Sequence, residues 1–127
     1  MRKYISDSNR YDLDLRFRKA LDLFNSGNWY PAHDALEELW HEALGPERLV
    51  LQGLLQIAVA QVHLENGNLN GATILYGEGL GRLRKEGLPD LGLEMDELIS
   101  SLECRLKSLQ QKNDIELCNI PRLRVRE

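Results

Sequence analysis

The chain has 127 residues, 43% of them apolar, which is enough for one domain with a normal core. A charged fraction of 28% is not the composition of a chain that is disordered throughout. The formal net charge of −4 lacks the positive field that attracts phosphates, so we expect no nucleic-acid partner.

The N-terminus and the cysteines bear on where the protein works. Arg2 and Lys3 are not followed by an apolar segment, so the N-terminus does not resemble a secretory signal. The most apolar stretch, residues 49–64, is too short and too polar to cross a bilayer. Cys104 and Cys118 form no CxxC motif and are too few to suggest a disulfide scaffold. We therefore expect a cytoplasmic protein with reduced thiols and no membrane partner.

Apolar residues recur at three- and four-residue intervals along most of the chain, which is typical of helices that bury one face. Breaks at Gly, Pro and Asn divide this pattern into five predicted helices. They run from about Asp12 to Phe24, Pro31 to Leu44, Pro46 to Glu65, Asn68 to Lys85, and Leu93 to Lys112. The remaining tail, residues 119–127, alternates apolar residues with arginines and is expected to be an extended arm or a disordered end.

One turn sequence occurs twice. Gly27-Asn28-x-x-x-Ala32 recurs forty residues later as Gly67-Asn68-x-x-x-Ala72. In each copy a helix ends at the glycine and a small alanine follows where two helices can approach closely, as in tetratricopeptide-type hairpins. Two stacked hairpins or a general preference of helical turns for Gly-Asn would both explain the echo. We predict an all-α fold: a compact bundle of about five helices, built from antiparallel αα-hairpins in one domain over residues 1–127.

The second and third predicted helices carry polar side chains on otherwise apolar faces. These candidate ligand-binding residues are His33, Glu37 and Trp40 in the second helix, and Gln52, Gln56 and His63 in the third. The third helix is apolar nearly all round, as central helices are, so we expect its polar groups to be at least partly buried. Burial without a partner costs about 1–3 kcal/mol per group. The two polar stripes are therefore expected to face each other across the hairpin, with Glu37 near Gln52 and Gln56.

Such a cluster has three interpretations. It can be a sealed network that fixes the register of the bundle, a site for a small polar ligand or substrate, or a metal site formed by His33, Glu37 and His63. No metal is expected, because the His-Glu-x-x-His spacing of zinc proteases is missing and His41 is expected to point to solvent. The sequence indicates no particular cofactor.

Two functions remain open at this point. One is a binding or interaction module, with a small polar ligand or a protein partner in the groove or on Trp29, which is either a hydrophobic staple or an exposed aromatic. The other is a small hydrolase or metal-assisted enzyme that uses His33, Glu37 and His63, with His33 or Glu37 as general base. A sealed, mutually paired cluster favours the module, and a solvent-connected cavity with an unpaired group favours the enzyme.

Two further sequence features are a group of glycines after Tyr76 and two clusters of basic residues. The glycines that follow Tyr76 lack the spacing of a dinucleotide fingerprint, and we expect them to let a neighbouring backbone come close. The basic clusters could dock an acidic partner; they consist of Arg82, Arg84, Lys85, Arg122, Arg124 and Arg126.

Several of these residues stand in an order that resembles a known family. The shared segments are Phe24-x-x-Gly27-x-x-Tyr30-x-Ala32-His33-x-x-Leu36-Glu37-x-x-Trp40, Leu51-Gln52-Gly53-Leu54-x-Gln56-x-Ala58-Val59-Ala60, His63-x-x-x-Gly67-Asn68-x-x-Gly71-Ala72 and Gly79-Leu80-x-Arg82-Leu83. Over about residues 17–85 the chain resembles the small all-α bacterial and plastid family catalogued as domain of unknown function 309. The resemblance implies a compact helical domain without an established activity. It also implies that the six candidate residues belong to the family pattern.

Overall fold

The computed structural model describes residues 11–127, apart from the side chain of Asp12. Within that range the chain forms α1 (Leu15–Asn25), α2 (Trp29–Glu42), α3 (Pro46–Glu65), α4 (Leu69–Leu83) and α5 (Met95–Gln110), with short 3-10 turns at Tyr11–Leu13 and Ile115–Leu117. The described residues contain no strand longer than one isolated bridge. The predicted all-α bundle of five helices is therefore confirmed.

The observed helix limits differ from the predicted ones by a few residues. At the starts, α1 begins at Leu15 rather than at about Asp12, and α2 begins at Trp29 rather than near Pro31. Pro31 is the third residue of that helix, where the missing N–H still costs nothing because the first four N–H groups of a helix have no internal partner. The basic residues Arg2 and Lys3 lie outside the described residues. No helix in residues 11–127 is both long and apolar enough to cross a membrane.

The repeated Gly-Asn sequence forms the same turn twice. Gly27 and Gly67 adopt φ values of +80° and +74°, a region in which a side chain would be strained. The N–H of the following asparagine donates to a carbonyl five residues back, from Asn28 to Leu23 (2.9 Å) and from Asn68 to His63 (2.8 Å). This is the Schellman arrangement, which satisfies the last carbonyls of a helix.

Helix α3 is the central helix of the bundle. Each helix packs against the next along the chain, so α3 lies between α2 on one side and α4 on the other. Its buried residues point in several directions; they are Val50, Leu51, Gly53, Leu54, Ile57, Ala58, Ala60 and Gln61. This helix therefore presents polar side chains to both neighbours, and the contacts with α2 and α4 decide what those side chains can do.

Helices α3 and α4 approach each other closely at two glycines. A Cβ atom on Gly79 would lie 2.8 Å from Ile57 Cδ1 and 3.0 Å from the carbonyl oxygen of Gly53. A Cβ atom on Gly53 would meet Leu83 Cγ at 2.8 Å. The expectation that a glycine after Tyr76 admits a neighbouring backbone is thus confirmed for Gly79. Gly77, on the same helix, faces open space.

The C-terminal segment is an extended arm held to the bundle by several hydrogen bonds and ion pairs. The Asn25 side chain accepts a hydrogen bond from Leu123 N (2.8 Å) and donates one to Leu123 O (3.0 Å). Farther along, Arg126 pairs with the buried carboxylate of Asp90 at 2.7 Å. In the structure residues 119–127 follow an extended path, with one isolated bridge between Val125 and Leu93.

Several of the basic side chains are paired within the chain. Arg84 lies 2.8 Å from Glu103, and Arg124 lies 3.0 Å from Glu97. Together with the Arg126 pair, these contacts give the arginines a role in attaching the arm and α5. An acidic partner would have to compete with these internal carboxylates.

We expect Gly79→Ala to lower the free energy of unfolding by about 1–3 kcal/mol, because overpacking forces the two helix backbones apart. Gly77→Ala is the matched control on the same helix and should stabilise the protein by up to about 1 kcal/mol through helix propensity. Urea unfolding of both variants makes the comparison. Equal effects of the two substitutions would contradict the close approach at Gly79.

Candidate functional site

A cavity of about 120 Å³ opens between α2 and α3 and is lined by Glu37, Trp40, Gln52, Leu55 and Gln56. Residues three and four apart lie on one face of a helix, so Glu37 and Trp40 line one wall and Gln52 and Gln56 the other. Four of these residues have a polar side-chain group, and we call them the seam: Glu37, Trp40, Gln52 and Gln56. Four of the six candidate residues are therefore neighbours around one cavity.

The seam is open to solvent rather than buried. Of the Glu37 side chain 44% is exposed, and Gln52 and Gln56 are half-buried. Gln56 is also turned toward α4, where its Nε2 donates to Glu78 Oε1 (3.1 Å) and its Oε1 accepts from Arg82 Nη1 (3.1 Å). Gln52 and Gln56 are thus partly buried, as expected, but a cluster buried as a whole is not observed, because the polar stripes meet at the edge of the α2–α3 contact.

Trp40 forms the apolar wall of the cavity and is fixed by a cation. The guanidinium carbon of Arg48 lies 4.1 Å from a ring centroid of Trp40, a cation–π contact. Arg48 Nη1 also donates to the backbone carbonyl of Trp40 at 3.0 Å. The indole Nε1 of Trp40 is buried, and within the part of the chain that the structure describes it has no hydrogen-bond acceptor. A buried donor without an acceptor costs about 1–3 kcal/mol.

His33 stands next to the seam, one helical turn before Glu37. Its Nε2 lies 3.7 Å from Glu37 Oε2, and its Nδ1 lies 3.2 Å from Asp34 Oδ1. The imidazole is 19% exposed and packs edge-on against the ring of Tyr30 at 5.9 Å. His33 therefore contacts a seam residue, although it does not line the cavity.

His63 forms a side-chain hydrogen bond in the turn between α3 and α4. Asn68 Nδ2 lies 3.1 Å from His63 Nδ1, and because an amide nitrogen only donates, the imidazole accepts at Nδ1. Asn68 Oδ1 in turn accepts from the backbone N–H of Gly71 at 2.9 Å and caps α4. The expected convergence of His63 with His33 and Glu37 is therefore wrong. The helical angle placed it on the polar stripe, but the start of α4 lies closer to it.

Two further expectations concern the aromatic and histidine side chains. Trp29 is 5% exposed and packs edge-to-face on Phe24 with ring centroids 4.9 Å apart. Its interpretation as an exposed binding aromatic is therefore wrong, because the first residue of α2 faces α1. His41 is exposed, as expected. Among residues 11–127, no three His, Cys, Asp or Glu side chains are grouped so as to hold a metal ion.

A second polar cluster, which sequence reasoning missed, lies on the opposite side of α3. Gln61, Tyr76 and Arg105 come from α3, α4 and α5, and Arg105 is only 5% exposed. Arg105 Nε donates to the Tyr76 hydroxyl at 2.8 Å and Nη2 donates to Gln61 Oε1 at 3.3 Å. The Tyr76 hydroxyl also donates to Gln61 Oε1. Burial raises the pKa of Tyr76 to about 12, against a smaller lowering by the Arg105 guanidinium.

The remaining donors of Arg105 reach the segment that leads into the arm. Its Nη1 contacts the carbonyl oxygens of Cys118 (3.4 Å) and Asn119 (3.3 Å). Among the described residues, the acceptors of this guanidinium are all neutral oxygens. The sequence did carry a signal for its burial: Arg105 lies three residues after Leu102 and four before Leu109, on the apolar face of α5.

Cys104 and Cys118 are joined by a disulfide across a sequence separation of 14. This pair overturns the expectation of reduced thiols. The reason is the path of the chain after α5, which turns back along that helix and returns Cys118 to Cys104. A count of two cysteines contains no information about that path.

The fold and the seam together define a class of protein, a helical-hairpin bundle with a small polar groove beside its central helix. Residues 17–75 match the model of the family described as a domain of unknown function (DUF309), which confirms the resemblance. The match ends before Gly79, whereas the shared segments were followed to about residue 85. It covers all six candidate residues. No curated protein matches the chain.

We expect stability to fall with alkaline pH through Tyr76. Because its folded pKa of about 12 lies above the ordinary value of 10.0, the neutral phenol stabilises the fold fully below pH 10. That contribution is lost as the pH rises from 10 through 12, since the unfolded chain releases its proton first. Tyr76→Phe should flatten this fall, by up to about 1.4 kcal/mol per pH unit. Tyr30→Phe, at an exposed tyrosine, should not; equal slopes in urea unfolding would contradict the assignment.

Glu37→Ala should change the free energy of unfolding by less than about 0.5 kcal/mol, because the carboxylate is half-exposed and water already solvates it. Glu38→Ala, one residue along on the exposed face, is the control for helix propensity. Thermal and urea unfolding measure both. A loss of about 1–3 kcal/mol that is specific to Glu37 would indicate a sealed network instead of an open groove.

Proposed function

We propose that this chain is a binding module whose seam accepts one amide group, from a small polar ligand or from a protein partner. The observation that carries the proposal is the buried indole N–H of Trp40, which lacks an acceptor among the described residues and belongs to a residue that lines the cavity. Because this nitrogen is itself buried, a bound oxygen accepts from it only when the indole shifts toward the cavity, and that contact would recover the cost of about 1–3 kcal/mol. We further propose that the chain acts as one helical domain in the cytoplasm.

The chemistry of the seam favours an amide over other polar groups. The half-exposed Glu37 carboxylate accepts hydrogen bonds, whereas the Trp40 indole only donates. Gln52 and Gln56 offer both kinds of group on the facing wall. A ligand group with one N–H and one carbonyl is complementary to this set. The cavity of about 120 Å³ equals about four water molecules at liquid density, which suits a group of that size.

The open seam by itself fits a ligand site or an enzyme, and it argues against a sealed register network. The position of His63 favours binding over hydrolysis. The hydrolase alternative needs His33, Glu37 and His63 to act together, yet His63 accepts from Asn68 in the turn before α4. His33 and Glu37 remain a pair at 3.7 Å, which orients a carboxylate at the edge of the groove.

The test is an NMR titration that follows the two indole N–H resonances. The probes are N-methylacetamide and methyl acetate, which have similar shapes but differ in that the ester has no donor. We expect the amide to shift the Trp40 resonance and to leave Trp29, buried against Phe24, in place. The ester should bind about tenfold more weakly, since it makes no hydrogen bond to Glu37.

Two matched variants make the test specific. Glu37→Gln should weaken binding of the amide about tenfold, because a charged acceptor is replaced by a neutral one. Glu38→Gln makes the same change on the exposed neighbour and should leave binding unchanged. The proposal fails if the amide leaves the Trp40 resonance unmoved, or if the two variants weaken binding equally.

A further inference from the structure

We propose that the Cys104–Cys118 disulfide is a thiol-exchange site, at which a small thiol attacks Cys104 and releases Cys118. This inference concerns the face formed by α5 and the arm and is independent of the seam. It rests on three observations, which are the unequal exposure of the two cysteines, the groups around Cys118, and the cavity beside the bond.

The two halves of the disulfide differ in access. Cys104 is exposed on α5, whereas Cys118 is 6% exposed. Exchange requires an incoming thiolate to reach one sulfur while the other sulfur leaves. Since the attacking thiolate comes from solvent, Cys104 Sγ is the sulfur that it meets. Cys118 is therefore the leaving group.

The surroundings of Cys118 suit a leaving thiolate. The Ser108 hydroxyl lies 3.4 Å from Cys118 Sγ, and against a disulfide or thiolate sulfur only the hydroxyl can donate. The Arg105 guanidinium reaches the backbone carbonyl of the same residue at 3.4 Å. Its positive charge has only neutral acceptors among the described contacts, so its field is not cancelled locally. A hydroxyl donor and a nearby cation both lower the free energy of a thiolate.

A cavity of about 610 Å³ provides room for the incoming thiol. It is lined by both cysteines together with Ser100, Ser101, Arg122 and Arg124, among others. This volume is within the range of small-molecule sites, which is about 300–1,000 Å³. Arg124 is paired with Glu97, which lines the same cavity, so Arg122 is the lining arginine that has no carboxylate partner among the described residues and favours a thiol that carries carboxylates. Glutathione, a tripeptide thiol with two carboxylates, is the probe with these properties.

The exchange is balanced by two equivalents of thiol. The first thiolate forms a bond to Cys104 Sγ while the Cys104–Cys118 bond breaks, and Cys118 departs as a thiolate that then takes up a proton. The second thiolate attacks the sulfur of the bound thiol in this mixed disulfide. It forms the oxidised thiol dimer and frees Cys104, so the protein gains two electrons and two protons.

The first experiment locates the intermediate. The oxidised full-length protein is incubated with glutathione under native conditions, quenched with an alkylating agent, and digested for mass spectrometry. We expect glutathione on Cys104 and the alkyl group on Cys118. Helical circular dichroism should persist, because α1 to α4 contain neither cysteine. Glutathione on Cys118, or a bond that is reduced only in denaturant, would overturn the proposal.

The second experiment tests the leaving group. Ser108→Ala should slow the reduction by about two- to tenfold, because the hydrogen bond to the departing sulfur is lost. Ser100→Ala is the matched control, since Ser100 lines the same cavity without a described contact to sulfur. Equal rates in the two variants would contradict the role of Ser108 and of Cys118 as the departing thiolate.

Discussion

The contact between the backbones of α3 and α4 at Gly53 and Gly79 is the constraint on which both polar clusters depend. It fixes how closely α3 and α4 pack, and the polar side chains of α3 reach its neighbours on both sides. Gln61 joins Tyr76 of α4 and Arg105 of α5. Gln52 lines the seam with Glu37 of α2. One central helix therefore supplies two polar regions with opposite properties.

The two regions differ in how their polar groups are satisfied. Around Arg105 every described hydrogen bond is internal, burial keeps Tyr76 protonated, and the acceptors extend to the backbone of the disulfide segment. The seam has an exposed carboxylate and a buried indole N–H without an acceptor. The sealed network around Arg105 stabilises the packing of α3, α4 and α5. The seam has an acceptor and a donor that are not paired with each other, so it is better suited to bind a ligand.

Much of the fold could be predicted from local sequence. Gly45-Pro46 and Asn66-Gly67 determine the ends of α3, and both predicted limits, Pro46 and Glu65, agree with the structure. The candidate site could be predicted only in part, because a helical angle gives the face of a residue and not the element that covers it. The helical angle of His63 predicted a place in the cluster between α2 and α3, but its imidazole contacts Asn68 at the start of α4. The Cys104–Cys118 disulfide depends on where the chain runs after α5, which no periodic pattern contains.

Solvent access to the seam is the central claim, and quenching of tryptophan fluorescence by acrylamide tests it most directly. Trp29→Phe leaves only Trp40 as the emitter, and Trp40→Phe leaves only Trp29. Trp40 is half-buried at an open groove while Trp29 is 5% exposed in the core. The quenching constant should be several times larger for Trp40. Equal, low constants in two folded variants would mean that the groove is closed, and would contradict the account.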